Sequence, residues 1–211
     1  MTEPVLLIAA GGLAREVASA LPDGTVLGFL DDDPAKAGAE VAGLPVLGPL
    51  AAVSDHPDAR LVVCAGKGPA RRALVSRLAA LGLGDDRYAT VVDASVRVPA
   101  GCAVGAGSIL LAGTVLTAQV TVGRHVVCMP HVTLTHDDVV EDFATLAAGV
   151  TLGGGVRIGE AAYLGMNASV RENCAVGHDA VLGMGATLVR DQPDGSVWAG
   201  TPARELKKET E

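Results

Sequence analysis

The chain has 211 residues, a net charge of −8 and 49% hydrophobic residues, but only 2% aromatics. That apolar content excludes disorder, no uninterrupted apolar run reaches the ~18 residues of a membrane span, and no basic region invites nucleic acid or an anionic membrane. Glycine contributes 27 residues, nearly twice its ordinary usage, so an aliphatic core with many tight turns is expected.

In chain order, Met1–Pro4 lacks the basic residues of a signal peptide, and the protein reads as cytoplasmic. Val5–Ala10 is a fully apolar strand ending at Gly11-Gly12, and Leu13–Leu21 has helical character. Thr25–Leu30 is a second strand, closed by Asp31-Asp32-Asp33-Pro34. Arg60–Ala65 is a third, closed by Gly66-Lys67-Gly68, after which Pro69 starts a helix to about Leu81. Tyr88–Val92 is a last strand leading into the second half.

Strand, glycine turn, helix and a strand with an acid at its end form a βαβ pattern. The turn Ala9–Ala14 half matches G-x-G-x-x-G, with alanine at the first and last glycine positions, and a tight turn without a ligand is the plainer reading. Yet Gly11-Gly12, Asp31-Asp32 and Gly66-Lys67 all end strands of one parallel sheet. Ligands of such sheets bind outside the carboxyl ends of the strands, so a nucleotide-type ligand is expected. The acids would take ribose or sugar hydroxyls and the turn amides a phosphate.

Residues 93–190 follow a period of six. Every sixth position from Val92 to Leu188 is apolar, among them Leu110, Cys128, Leu146, Leu164 and Leu182. The fourth residue after each is usually small or β-branched (Cys102, Ser108, Val132, Ala144, Ala162), and the next residue is often glycine, as at Gly105, Gly123 and Gly165. Such hexads are the signature of a parallel β-helix. Three hexads close one triangular coil, the large residue stacks inward, and glycine relieves the backbone at the turn. Five coils at the ~4.8 Å strand spacing make a prism about 24 Å tall, too narrow for aromatics. The spacing leaves its hand open. The repeat stops at Val189–Gly195, and a tail containing Gly200-Thr-Pro-Ala-Arg204 ends in a charged stretch, Glu205–Glu211, expected as a frayed helix.

Cys64, Cys102, Cys128 and Cys174 form no C-x-x-C pair and read as small buried hydrophobes. His56 and His178 are expected on the surface. His131 and His136 have the spacing of a histidine pair in γ-class carbonic anhydrases. A third ligand two coils lower is missing, because Ser95 and Ala100 stand there; His178 is out of register and His125 lies on another side. No metal is expected. His136 is followed by Asp137, Asp138, Glu141 and Asp142. A carboxylate beside a histidine raises its basicity and orients one ring nitrogen, as a general base requires. Successive strand side chains point opposite ways, so Asp137 assists His136 only if the pair sits at a corner. A solvated acidic corner with an incidental histidine is the alternative.

With Ile8–Val17, Gly28–Asp33, Gly43–Gly48, Val63–Arg72, Leu134–Asp138, Tyr163–Val170, Leu182–Val189 and Gly200–Arg204 in view, the chain resembles the nucleotide-sugar and sialic-acid acetyltransferases. The resemblance implies a Rossmann-like α/β nucleotide-sugar-binding domain over 1–92, a left-handed parallel β-helix of hexapeptide repeats over 93–190 and a tail over 191–211. It implies an acetyl-CoA-dependent N-acetyltransferase acting directly on the amine of a nucleotide-linked amino sugar. His136 would be the base and Asp137 its partner. Gly11, Gly12 and Leu13 would meet the diphosphate, Asp31 and Asp32 the uridine portion, and Gly66 the same ligand. Acetyl-CoA would lie along Gly165-Met166 and Gly183-Met184 and at Thr145, which stands where the family often carries a second histidine. Relatives are homotrimers with active sites shared between neighbours. O-acetylation of a sialic-acid-type sugar uses the same base and is the alternative; a γ-type carbonic anhydrase or a non-catalytic nucleotide-sugar scaffold are readings of another class.

Overall fold

The structure, a computed structural model, describes residues 3–206. The first part is a sheet of β1 (Val5–Ile8), β2 (Val26–Leu30), β3 (Glu40–Val41), β4 (Leu44–Gly48) and β5 (Arg60–Val63), in the order β3-β4-β2-β1-β5. β1 runs parallel to β2 and β5, and β2 to β4; β3 closes the edge as an antiparallel partner of β4. Helix α1 (Gly12–Ala20) follows β1 and α2 (Gly68–Ala80) follows β5. α1 buries Leu13, Ala14 and Val17 against one sheet face, while Leu78 of α2 joins Leu50, Val53 and Tyr88 on the other. The carboxyl ends of β1, β2 and β5 open at Ala9–Gly12, Asp31–Asp33 and Cys64–Gly66. The β3–β4 hairpin is an element that the sequence reading lacked.

From Ala103–Val104 to Thr187–Leu188, two-residue strands stack in parallel, each paired with the strand 18 residues on, as in Thr121↔Val139 and Val127↔Thr145. They form three faces. Face one contains Ile109–Leu110, Val127–Cys128, Thr145–Leu146, Tyr163–Leu164 and Val181–Leu182; face two runs from Val115–Leu116 to Thr187–Leu188; face three runs from Ala103–Val104 to Ala175–Val176. The second residue of each strand points inward, and with the small residues of the hexads these build one continuous aliphatic core. Val92 and Val98, the first apolar positions of the repeat, are 39% and 40% exposed, because they stand at the open end where no coil lies beneath. At the other end Trp198 and Ala203 close the core, with the Arg190 guanidinium over the indole at 5.1 Å. Arg204–Glu205 form a strand against Val197–Ala199, so the frayed helix expected over Glu205–Glu211 does not begin at Glu205, and residues 207–211 lie outside the described part.

The corners work differently from the expectation. Glycines after the inward residue do not relieve φ. A Cβ at Gly105, Gly123 or Gly165 would strike the backbone of the next coil, so these glycines permit close coil-to-coil approach. The left-handed φ falls instead on the third residue after each inward one: Gly107, Gly113, Gln119, His125, His131, Asp137, Phe143, Gly149 and onward. The amide of such a residue donates to the corner of the previous coil, as His125 N to Ala106 O at 2.9 Å and Asp137 N to Ala118 O at 3.0 Å.

The two parts share a core. Val91, Ile109 and Val127 project outward from face one and are buried with Val5, Leu7, Leu13 and Val17. At the edge between faces three and one, α2 docks so tightly that a Cβ on Gly68 would overlap Phe143 O and Ala161. Arg71 of α2 is fully buried there. Its guanidinium donates to His125 O at 2.7 Å, Ala65 O at 2.6 Å, Phe143 O at 2.6 Å, Ala144 O at 3.0 Å and Thr145 Oγ1 at 3.1 Å, and more weakly to Gly66 O at 3.3 Å. No helix among the described residues is long and apolar enough to cross a membrane.

Candidate active site

His136 and Asp137 occupy the turn between faces two and three. Asp137 takes the left-handed conformation of every corner, φ 63°, and this swings its carboxylate back so that Oδ2 lies 2.8 Å from His136 Nδ1. The pair therefore meets the corner condition set by the strand alternation. Both side chains are largely exposed, at 69% and 65%. A carboxylate on Nδ1 fixes the proton there and leaves the Nε2 lone pair for a substrate. Nε2 faces the next coil at Gly154, where a Cβ would overlap the imidazole. Gly155 N donates to His136 O at 2.9 Å and ties the turn to that coil.

Asp138, which sequence reasoning left out of the row of small inward residues, occupies one of those positions and is fully buried. Oδ1 accepts from Val156 N at 2.9 Å and Oδ2 from Thr135 N at 2.7 Å. Burial pushes its carboxyl up to about 6 despite those two hydrogen bonds. The interruption of a small-residue series by an acid was the available signal.

At the sheet edge of the first part, Gly11 precedes α1 and a Cβ there would meet nothing within 4 Å. Leu13 buries its side chain, so only the helix-start backbone N–H groups at Gly12 and Leu13 face outward for an anion. Ala9, in the first glycine position of the motif, adopts φ 75°, a conformation costly for any residue but glycine. Asp31 braces this turn: Oδ2 accepts from Ala10 N and from Lys36, both at 2.8 Å, and Oδ1 from Asp33 N at 2.9 Å. Burial alone would raise the Asp31 carboxyl, but these bonds bring it below its ordinary value. Asp32 accepts from Leu50 N at 2.9 Å and pairs with Arg77 at 2.7 Å, and both contacts lower its carboxyl. Both acids thus arrive already engaged, around a cavity of ≈ 120 Å³ that they line with Ile8, Ala9, Leu30, Leu50 and Leu74.

Gly66, at the end of β5, accepts from Thr145 Oγ1 at 2.9 Å. Thr145, expected along acetyl-CoA, is instead buried against Gly66 and Arg71, because α2 covers face one at that level. Gly165-Met166 and Gly183-Met184 stack one coil apart at the edge between faces one and two. Gly185 N donates to Met166 O at 2.8 Å, and Met166 and Met184 are 49% and 71% exposed. That edge is not the His136 edge, so a single chain does not bring His136 onto the two methionines.

The other histidines separate by corner. His131 shares the edge of Met166, which divides it from His136. His125 lies at the third edge, fully buried between Tyr88, edge-on at 4.6 Å, and Phe143, stacked at 5.2 Å; burial lowers it to about 4. His178 is exposed, as expected, whereas His56 is half-buried at the end of a short 3-10 segment, with its amide on Val53 O. Among the described residues no group of three or more His, Cys, Asp and Glu could hold a metal ion. Cys64, Cys128 and Cys174 are buried and Cys102 is half-buried; burial raises the Cys64 and Cys128 thiols, the opposite of what a nucleophile needs.

No family model and no curated protein sequence matches the chain. Solved structures do. The acetyltransferase domain of PglB from Neisseria gonorrhoeae FA1090 is 30% identical with a TM-score of 0.87, over 97% of this chain and 100% of that one; it has also been solved in complex with acetyl coenzyme A. PerB from Caulobacter crescentus, in complex with CoA and GDP-perosamine, is 29% identical with a TM-score of 0.85, over 97% of both chains. WeeI from Acinetobacter baumannii AYE is 25% identical with a TM-score of 0.83, over 97% of this chain and 100% of that one.

Proposed function

The chain belongs to the acetyl-CoA-dependent nucleotide-sugar N-acetyltransferases, and on that premise we propose that it acetylates the amine of a nucleotide-linked amino sugar with His136 as general base. The observation that carries this reading is the exposed His136–Asp137 pair at 2.8 Å, which leaves Nε2 free beside Gly154. The amine attacks the thioester carbonyl carbon, a C–N bond forms and the C–S bond breaks. The amine proton passes to His136 Nε2 and then to the departing CoA sulfur. Backbone N–H groups of the coil stabilise the oxyanion. Direct transfer suits a chain whose described thiols are structural.

The bound ligands of PglB and PerB support assigning the two substrates to this chain. In this reading 1–92 is a Rossmann-like nucleotide-sugar domain. The amides of Gly12 and Leu13 after Gly11 take the diphosphate, and the cavity at Asp31 and Asp32, next to Gly66, takes the nucleoside. Residues 93–190 form a left-handed β-helix, followed by the tail over 191–211. Gly165, Met166, Gly183 and Met184 line the acetyl-CoA groove. Because they occupy a different edge from His136, the groove is completed by the His136 edge of a neighbouring copy in a homotrimer. The comparison with a GDP-perosamine N-acetyltransferase favours N- over O-acetylation.

The test is His136→Ala assayed with acetyl-CoA and a panel of UDP-, GDP- and dTDP-linked amino sugars, the panel first ranked by thermal shift. Turnover should fall about 100-fold or more. Activity above one tenth of the unmodified enzyme would sink the base assignment.

A further inference from the structure

Where the small inward position of a hexad carries Ser108, Thr114 or Asp138, that side chain hydrogen-bonds the backbone of the adjoining coil. Ser108 is the pattern: buried, its Oγ accepts from Val126 N, 18 residues on, at 2.9 Å. Asp138 makes the equivalent coil-to-coil bond to Val156 N at 2.9 Å. It also has a second oxygen, which reaches back across His136 and Asp137 to Thr135 N at 2.7 Å. Asp138 is the one fully buried carboxylate among the described residues, and it stands directly after the proposed base. One oxygen holds the coil that carries Gly154, the floor of the imidazole; the other closes the turn that carries the imidazole.

We propose that Asp138 is a positioning residue for His136, whose ionised carboxylate locks the base-bearing turn onto Gly154 and whose protonation releases it. This rests on the reading of His136 as the base. Only the ionised form offers an acceptor to both amides at full strength; a proton on either oxygen weakens one of the two bonds. The charged groups facing the carboxylate are His136 and Asp137 of its own turn. The equivalent small positions one coil below and above are Val120 and Val156, which carry no charge. Burial sets the carboxyl near 6, so the lock is closed above that pH and opens in mild acid.

Two variants test this. Asp138→Asn keeps the shape but cannot accept at both atoms. Asp138→Ser copies Ser108, keeping the bond to Val156 N and losing the one to Thr135 N. Each is compared with unmodified enzyme in kcat and in KM for acetyl-CoA from pH 5 to 8.5. Both should fold, keep KM within about twofold, and lower kcat about 10-fold at pH 8, the scale of a misplaced catalytic group. Because Asp138→Asn resembles the protonated lock, the ratio of wild-type to variant kcat should shrink toward one as the pH falls below 6. A ratio near ten that stays constant with pH, or kcat unchanged at pH 8, overturns the lock while leaving the base assignment intact. Retention of activity by His136→Ala overturns the base assignment itself.

Discussion

Replacing Arg71 with methionine should detach the first part of the chain from the β-helix at its most buried contact. Six hydrogen bonds leave this guanidinium, and His125 O, Ala65 O and Phe143 O have no other donor among the described residues. At about 1.5 kcal/mol per bond from a charged donor the set contributes roughly 9 kcal/mol. Burial opposes this: it pushes the guanidinium down to about 10 from 12.5, a charging cost of about 3 kcal/mol. Methionine regains about 2 kcal/mol of apolar burial. The expected net loss is about 3 to 5 kcal/mol, the range for breaking a buried charged contact from one side. Urea unfolding at one fixed protein concentration measures it, with the midpoint falling at constant m-value. Arg71→Lys keeps the charge but loses the fork and should recover less than half of the loss. A methionine variant within 1 kcal/mol of the unmodified protein would refute the view that this side chain holds the two parts together.

Three further outcomes follow from contacts already described. Gly154→Ala places a methyl against His136 Nε2, at a backbone conformation alanine accepts; kcat should fall about 10-fold or more with Tm unchanged within about 2 °C. Gly68→Ala drives a Cβ into Phe143 O and Ala161 and should cost about 1 to 3 kcal/mol, read as a lower Tm. The Asp138 carboxyl is raised from 3.8 to about 6 by burial, so the folded protein holds its proton more tightly than the unfolded chain. That stabilisation is full below about pH 4 and is lost as the pH rises through 6, a swing of about 3 kcal/mol. Asp138→Asn lacks the swing, so its stability relative to the parent should improve by that amount between pH 4 and 7.5; a difference independent of pH would contradict it.

Period six was legible because the inward residue of every coil strand must be apolar and the stack tolerates no insertion. The βαβ elements were legible from runs such as Val5–Ala10 that stop at glycine or acid. Other features hid for identifiable reasons. Arg71 is one of three arginines on α2, and nothing in the spacing singles it out; only the docking of α2 on Phe143 and Ala161 buries it. The β3–β4 hairpin pairs just two residues of β3, too few to show a period. The left-handed corner positions are occupied by Gln119, His125, Phe143 and Asn167 as well as by glycine, so composition could not mark them, and the glycines that did stand out serve close approach instead. At the site, His136 and Asp137 were legible as neighbours in sequence. Their division from Met166 and Met184 by one edge of the prism depends on the closed triangle. The engagement of Asp31 and Asp32 by Lys36 and Arg77 depends on loop geometry that spacing does not encode.

The three-faced coil also constrains how length can vary in descendants of this chain. Each strand pairs with the one 18 residues on, so gain or loss of a whole coil leaves every face above the change in place. An insertion of six residues would preserve the inward pattern equally well, and a core-packing criterion would pass it. It would nonetheless turn everything above it by one face, carrying the Met184 edge to where another edge belongs and, in the proposed trimer, away from the His136 edge it is meant to meet. On that proposal a frame error of one hexad preserves the inward apolar pattern while separating the two halves of the site, so activity is a stricter test of repeat register than core packing.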